Sequence, residues 1–104
     1  MLIPKFSLEV FAPHIGSTFD VVDHATSATI TSLTLTETVS VPGDARYEQF
    51  SVRWQGTVDA VLPQGTYHLV HPFMGELDLF LVPIGRDAQN LRYESAFSVW
   101  RAAS

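Results

Sequence analysis

Three features of this sequence predict an all-β domain: six or seven short antiparallel strands closed as a small barrel or packed as a sandwich, with one short N-terminal helix. Runs of Val, Ile, Thr, Leu and aromatic residues alternate apolar with polar, most cleanly from Tyr47 to Gln55. Gly, Pro, Asn and Asp break these runs at short, regular intervals. The most apolar stretch opens on the turn Pro63-Gln64-Gly65 and is cut again at Pro72 to Gly75, which is the punctuation of a β-hairpin.

Ser7 is placed to cap the helix, with Leu8, Val10 and Phe11 on one side and Glu9 in the first turn, where the helix dipole favours an anion. Pro13 and Gly16 stop it within two turns, so it serves as a lid on one end of the sheet. A first strand runs from Thr18 to His24, and Ala25 to Ser27 turn the chain into a second, Ala28 to Val41. There Leu33, Leu35 and Val39 share a face, and Ile30, of opposite parity, requires a bulge near Thr31 and Ser32 to come inside with them. Pro42-Gly43-Asp44 is a turn signal. Tyr47 to Gln55 then puts Phe50, Val52 and Trp54 inward and Ser51, Arg53 and Gln55 outward.

Gly56 is expected to end that strand, and Thr57 to Val61 to cross irregularly to the hairpin of Thr66–His71 and Glu76–Val82. The hairpin is apolar on both faces, which predicts cover on both faces by the helix, a second sheet or a partner. Arg86 to Asn90 form a loop, and Leu91 to Trp100 the last strand, with Tyr93, Phe97 and Val99 on one side.

The chain of 104 residues is read as one domain, 1–104, which buries roughly 65% of its unfolded surface. An apolar fraction of 46%, with seven Phe, two Trp and three Tyr, excludes a disordered segment. A net charge of −5 with no Lys/Arg cluster argues against nucleic acid as a partner. The absence of cysteine excludes disulfides, thiolate metal sites and Cys nucleophiles. No apolar run reaches the roughly 18 residues of a membrane span, and the opening Met1 to Phe6 lacks the pattern of a signal peptide, so no membrane partner is expected and the cytoplasm is the default location.

Candidate chemistry is sparse. His68 and His71 are three apart on one strand and point to opposite faces, which is wrong for a shared metal, and nothing local brings His14 or His24 to them. His71, before Pro72, is suited to hydrogen-bonding its own turn. Glu76 and Asp78 share a face, but such pairs arise on any exposed sheet, and no third partner stands at a fixed spacing. No Ser lies in a Gly-x-Ser-x-Gly elbow, and both Gly-rich phosphate loops are missing. No catalytic residue, cofactor or metal is therefore expected. Phe73, Met74 and Trp100 sit in a tight turn and near the chain end, where core roles are hard to arrange, and they are the candidates for an apolar interaction patch.

Phe50-Ser51-Val52-Arg53-Trp54-Gln55-Gly56, Leu62-Pro63-Gln64-Gly65-Thr66-Tyr67, His71-Pro72, Gly75-Glu76-Leu77, Phe80 to Gly85 and Tyr93-Glu94-x-x-Phe97 together resemble a small uncharacterised bacterial domain family of about this length. Phe11-Ala12-Pro13-His14-x-Gly16-x-x-Phe19 is similar to its start. The resemblance implies a domain of unknown function, sometimes associated with phage-tail-like proteins, and transfers no catalytic residue.

The expected function is thus a non-enzymatic structural or interaction module that binds a protein partner or itself, with Arg53, Glu37 and Asp78 as possible charged guards of exposed strand edges. A second reading is a small-ligand-binding barrel with Arg53, Tyr67 and His71 in its pocket. The third is a small hydrolase or isomerase using His71 with Glu76 or Asp78, which requires those groups to converge in a cleft.

Overall fold

The computed structural model describes residues 7–41 and 47–100, the last without its side chain. A four-residue helix, α1 (Leu8–Phe11), runs into a single 3-10 turn (Ala12–His14). Six strands follow: β1 (Thr18–Val22), β2 (Thr29–Val41), β3 (Tyr47–Thr57), β4 (Gly65–His71), β5 (Gly75–Arg86) and β6 (Asn90–Trp100). All neighbours are antiparallel, and the order β1-β2-β3-β6-β5-β4 closes on itself through β1 and β4. The all-β class with one short helix is as expected, and the barrel alternative is the one adopted.

The barrel is flattened, 46 × 33 × 23 Å along its principal axes. Its closure is uneven. β3 and β6 pair along their whole length from Tyr47↔Trp100 to Thr57↔Asn90. The β5–β6 ladder covers only Val82–Arg86 of β5, so from Gly75 to Leu81 the ladder of β5 is with β4 among the described residues. α1 packs against β2 and β3. Ser7 caps it by accepting from the Val10 N–H, and Phe11, fully buried, lies 6.2 Å from the ring of Phe50 and 5.6 Å from that of Phe97. Gly16, with φ of 92°, turns the chain out of the 3-10 segment into β1, a backbone conformation that glycine adopts without Cβ strain.

The period-2 pattern sets the interior. Phe19, Val21, Leu33, Leu35, Phe50, Val52, Trp54, Leu69, Leu77, Leu79, Leu81, Leu91 and Tyr93 all face inward and are buried. Bulges alter the phase at three places. In β2 the extra residue opposite Val21 and Val22 is Ile30 itself, so the slip lies just before the expected Thr31 and Ser32, and Ile30 is turned out, 49% exposed. A second bulge at Thr36, whose hydroxyl donates to the Arg53 carbonyl, reverses the face again. Thr38 therefore stands opposite Val52, and Val39 opposite Ser51 rather than on the side of Leu35. A third, at Ile84, bends β5 where it joins β6.

β3 ends at Thr57, one residue past Gly56. Gly56 is buried in the last rungs of the ladder with β6, and a Cβ there would lie 2.8 Å from Leu33 Cδ2 and 3.2 Å from Tyr93 Cε2, so glycine is required by close packing. The crossing that follows is tied down by two tyrosines: the Leu62 N–H donates to Tyr93 Oη at 3.0 Å, and the Tyr67 hydroxyl donates to the Pro63 carbonyl. The outer face of the hairpin is not covered as expected; Phe80 is 50% exposed. Arg53 lies between two partner strands inside the wall, whereas Glu37 and Asp78 lie on stretches of β2 and β5 whose ladders, among the described residues, run on one side only. The turn expected at Pro42-Gly43-Asp44 and the tail Arg101 to Ser104 lie outside the described residues.

Candidate functional site

Two polar clusters are built by the hairpin, one on each side of its sheet. The connection Pro72-Phe73-Met74 pairs His71 with Gly75 and so sets His68 directly across from Asp78, with Glu76 on the diagonal of the same outer face. His68 Nδ1 is 2.8 Å from Asp78 Oδ1, and His68 Nε2 is 2.8 Å from Glu76 Oε1. A ring flanked by carboxylates on both nitrogens donates from both, which favours the imidazolium. The hydrogen bond to Asp78, and then that to Glu76, hold the His68 pKa above its ordinary value, and His68 in turn holds Asp78 below its own.

Barrel closure adds a third element. The pairing Val22↔His68 between β1 and β4 carries the turn after β1 up to this face. Asp23 shapes that turn: its N–H donates to the Ala28 carbonyl and its Oδ1 accepts from the Ala25 N–H. His24 is thereby brought to 3.3 Å from Asp78 Oδ1 through Nε2, with its ring 4.2 Å from that of His68. The cluster opens on a polar cleft of about 580 Å³ lined by Asp20, Asp23, His24, Ser27, His68 and Glu76, among others. The expectation that no reactive side chains are gathered together is therefore corrected: His24, His68, Asp78 and Glu76 converge. The third partner thought missing for Glu76 and Asp78 is His68, and the length of the hairpin connection was the signal that places it.

The second cluster lies inside and at the barrel's end. His71, 3% exposed, points inward beside Phe19, at 4.2 Å between ring centroids. Its Nδ1 accepts from the Phe73 and Met74 N–H groups at 3.1 and 3.2 Å, which leaves the proton on Nε2. Nε2–H then donates to Ser17 Oγ at 3.0 Å, and the Ser17 hydroxyl donates to the His14 carbonyl at 2.6 Å. Burial, and after it the neighbouring His14 with its ring 4.8 Å away, push the His71 pKa below its ordinary value. The Ser17–His71 pair resembles a nucleophile and base only by proximity: a nitrogen that already carries a proton accepts none from Ser17. His71 serves the turn, as its position before Pro72 suggested.

The sequence-predicted candidates fall as follows. Phe73 stands at the tip of the β4–β5 turn, 85% exposed, 6.2 Å from the His14 ring and nearly parallel to it. Met74, beside it, is half-buried against the core. The Trp100 backbone pairs with Tyr47 at the barrel end, and its side chain lies outside the described residues. Arg53, Tyr67 and His71 do not line one pocket. Arg53 is on the outer wall, paired with Glu37 at 3.1 Å and Glu94 at 3.3 Å, while Tyr67 and His71 face inward into a barrel filled by Trp54, Tyr93, Phe19 and the leucines. Nor does His71 meet Glu76 or Asp78. It lies on the opposite face of β4, so the arrangement required by the hydrolase reading is absent among the described residues.

Among the described residues no helix is long and apolar enough to cross a membrane. Fold and sites together define a small antiparallel barrel with a filled interior, a histidine–carboxylate cluster on its wall and an aromatic residue held out at one end. The chain belongs to the family described as Domain of unknown function (DUF6916), whose model matches residues 6–97. No curated protein and no solved structure matches the chain.

Proposed function

We propose that this domain is a non-enzymatic interaction module that associates with a second copy of itself through the barrel end carrying Phe73. The observation that carries this reading is the combination of exposure and rigidity at that residue. A phenylalanine 85% exposed on a mobile tip would be unremarked, but this tip is fixed by His71, whose buried ring accepts both N–H groups of the turn. Ile15, on the neighbouring segment after the 3-10 turn, is also exposed at 46%, which widens the apolar surface around the His14 and Phe73 rings. Holding a large apolar group out in water has a hydrophobic cost that burial against a partner recovers.

A filled interior leaves the wall and the ends for recognition, which disfavours the ligand-binding barrel. Service as a repeated component of a phage-tail-like assembly is the finer version of this reading, supported by the family resemblance alone. Multi-angle light scattering tests it: the purified chain is expected to form a discrete oligomer that dissociates on Phe73→Asp with the fold unchanged by circular dichroism. A strict monomer at high concentration contradicts it.

A further inference from the structure

We infer that His24, His68 and Asp78 form a binding site for a divalent transition metal of the zinc type, with Glu76 orienting the His68 ring from its far side. One donor atom from each of the three lies within 4.8 Å of the other two. Tetrahedral zinc holds nitrogen and oxygen donors at about 2.0–2.2 Å and so roughly 3.3 Å from one another. Asp78 Oδ1 is already 3.3 Å from His24 Nε2 and 2.8 Å from His68 Nδ1. His24, on the turn after β1, and Asp78 are both exposed, so their side chains can adjust toward a shared ion while the less exposed His68 stays fixed between its carboxylates.

The far side of His68 carries an independent mark of such a site. A metal-bound imidazole usually donates its other N–H to a carboxylate, which fixes the ring and raises its basicity. His68 does this: with Nδ1 toward His24 and Asp78, its Nε2–H points to Glu76 Oε1 at 2.8 Å. Among the described residues the cleft in front is lined by Asp20, Asp23 and Glu76 and by no Lys or Arg, so its field favours a cation. Two imidazoles and a carboxylate suit zinc-like ions, whereas calcium and magnesium select oxygen sets.

Binding is an exchange. The metal takes the place of the His68 Nδ1 proton, which leaves to solvent, and three protein ligands leave the fourth position to water or to a donor from a molecule in the cleft. Because the ion replaces a proton on a ligating ring, affinity rises with pH.

Zinc chloride titrated into the full chain and followed by calorimetry, with cobalt(II) absorption as a reporter of tetrahedral coordination, tests the site. One ion per chain is expected, with affinity lowered at least about tenfold in His24→Ala and Asp78→Asn and about tenfold in Glu76→Gln. Ring ¹⁵N resonances of His24 and His68 should move on zinc addition while those of His14 and His71 stay. No uptake at micromolar zinc, binding indifferent to His24→Ala, or shifts centred on His14 and His71 would overturn the assignment. His24 is exposed on a turn, so its replacement keeps the test valid even if Asp78→Asn fails to fold.

Discussion

His68 and His71 stand three residues apart on β4, and strand alternation sends one to a carboxylate-lined wall and the other into the core. Their titrations should part accordingly. By ring NMR, His68 is expected to titrate above about 6.5, the ordinary histidine value, and His71 below it, with His71 as the Nε2–H tautomer. The signs for stability follow. The raised His68 contributes fully below about pH 6.5 and loses that contribution as pH rises through its folded value, while the lowered Asp78 contributes above about pH 3.9 and loses it as pH falls through its own. The pair is thus most favourable between about pH 4 and 6.5. His71 acts the other way at the acid end, since protonating it below about pH 6.5 costs stability. In metal-free buffer, the thermal midpoint should fall above about pH 6.5 more steeply in the parent than in His68→Asn; identical slopes would show that the ion pair is not formed in solution.

Also at the scale of single residues, Gly56→Ala should destabilise by about 1–3 kcal/mol through overpacking against Leu33 and Tyr93. Tyr93→Phe should cost about 1–3 kcal/mol by removing the buried acceptor of the Leu62 N–H. Denaturant melts read both. The inward set of β3 and β6 was legible from alternation, because each strand obeys it locally. The role of Gly56 was not, since a glycine at a strand end and a glycine under a ring from a distant strand look the same in one dimension.

At the scale of elements, the hairpin was the most legible part and also held the chief oversight. Its three-residue connection fixes His68↔Asp78 by counting back from His71↔Gly75, so the pairing of His68 with Glu76 and Asp78 was within reach of the sequence. The bulges at Thr36 and Ile84 were not, because the alternating pattern tolerates either phase in stretches where Thr and Ser can face in or out. The lid helix was readable from Ser7, Pro13 and Gly16, but not what it covers. Phe11 fills the place beside Phe50 and Phe97. Phe11→Ala should therefore cost about 3–5 kcal/mol, and amide exchange should rise first in the adjoining halves of β3 and β6. Loss confined to α1 would mean that the helix only decorates the sheet.

At the scale of the molecule, both histidine encounters, His24 with His68 and His14 with His71, depend on β1 pairing with β4. That closure joins strands far apart in the chain, and strand order cannot be read from alternation or turn chemistry. The same closure places the segment carrying Ile15 beside the fixed turn of Phe73, so the barrel presents a polar, metal-suited wall and an apolar end as separate surfaces. The two assignments stand or fall independently, since Phe73→Asp leaves the His24–His68–Asp78 cluster intact.

A dilution series of ¹⁵N-labelled protein followed by amide NMR tests the working end most directly. The account predicts concentration-dependent shifts at Phe73, Met74, His14 and Ile15, with Ala25 to Ala28 and Asp87 to Gln89 at the opposite end unchanged. Spectra that do not change with concentration, or changes confined to that opposite end, would contradict it.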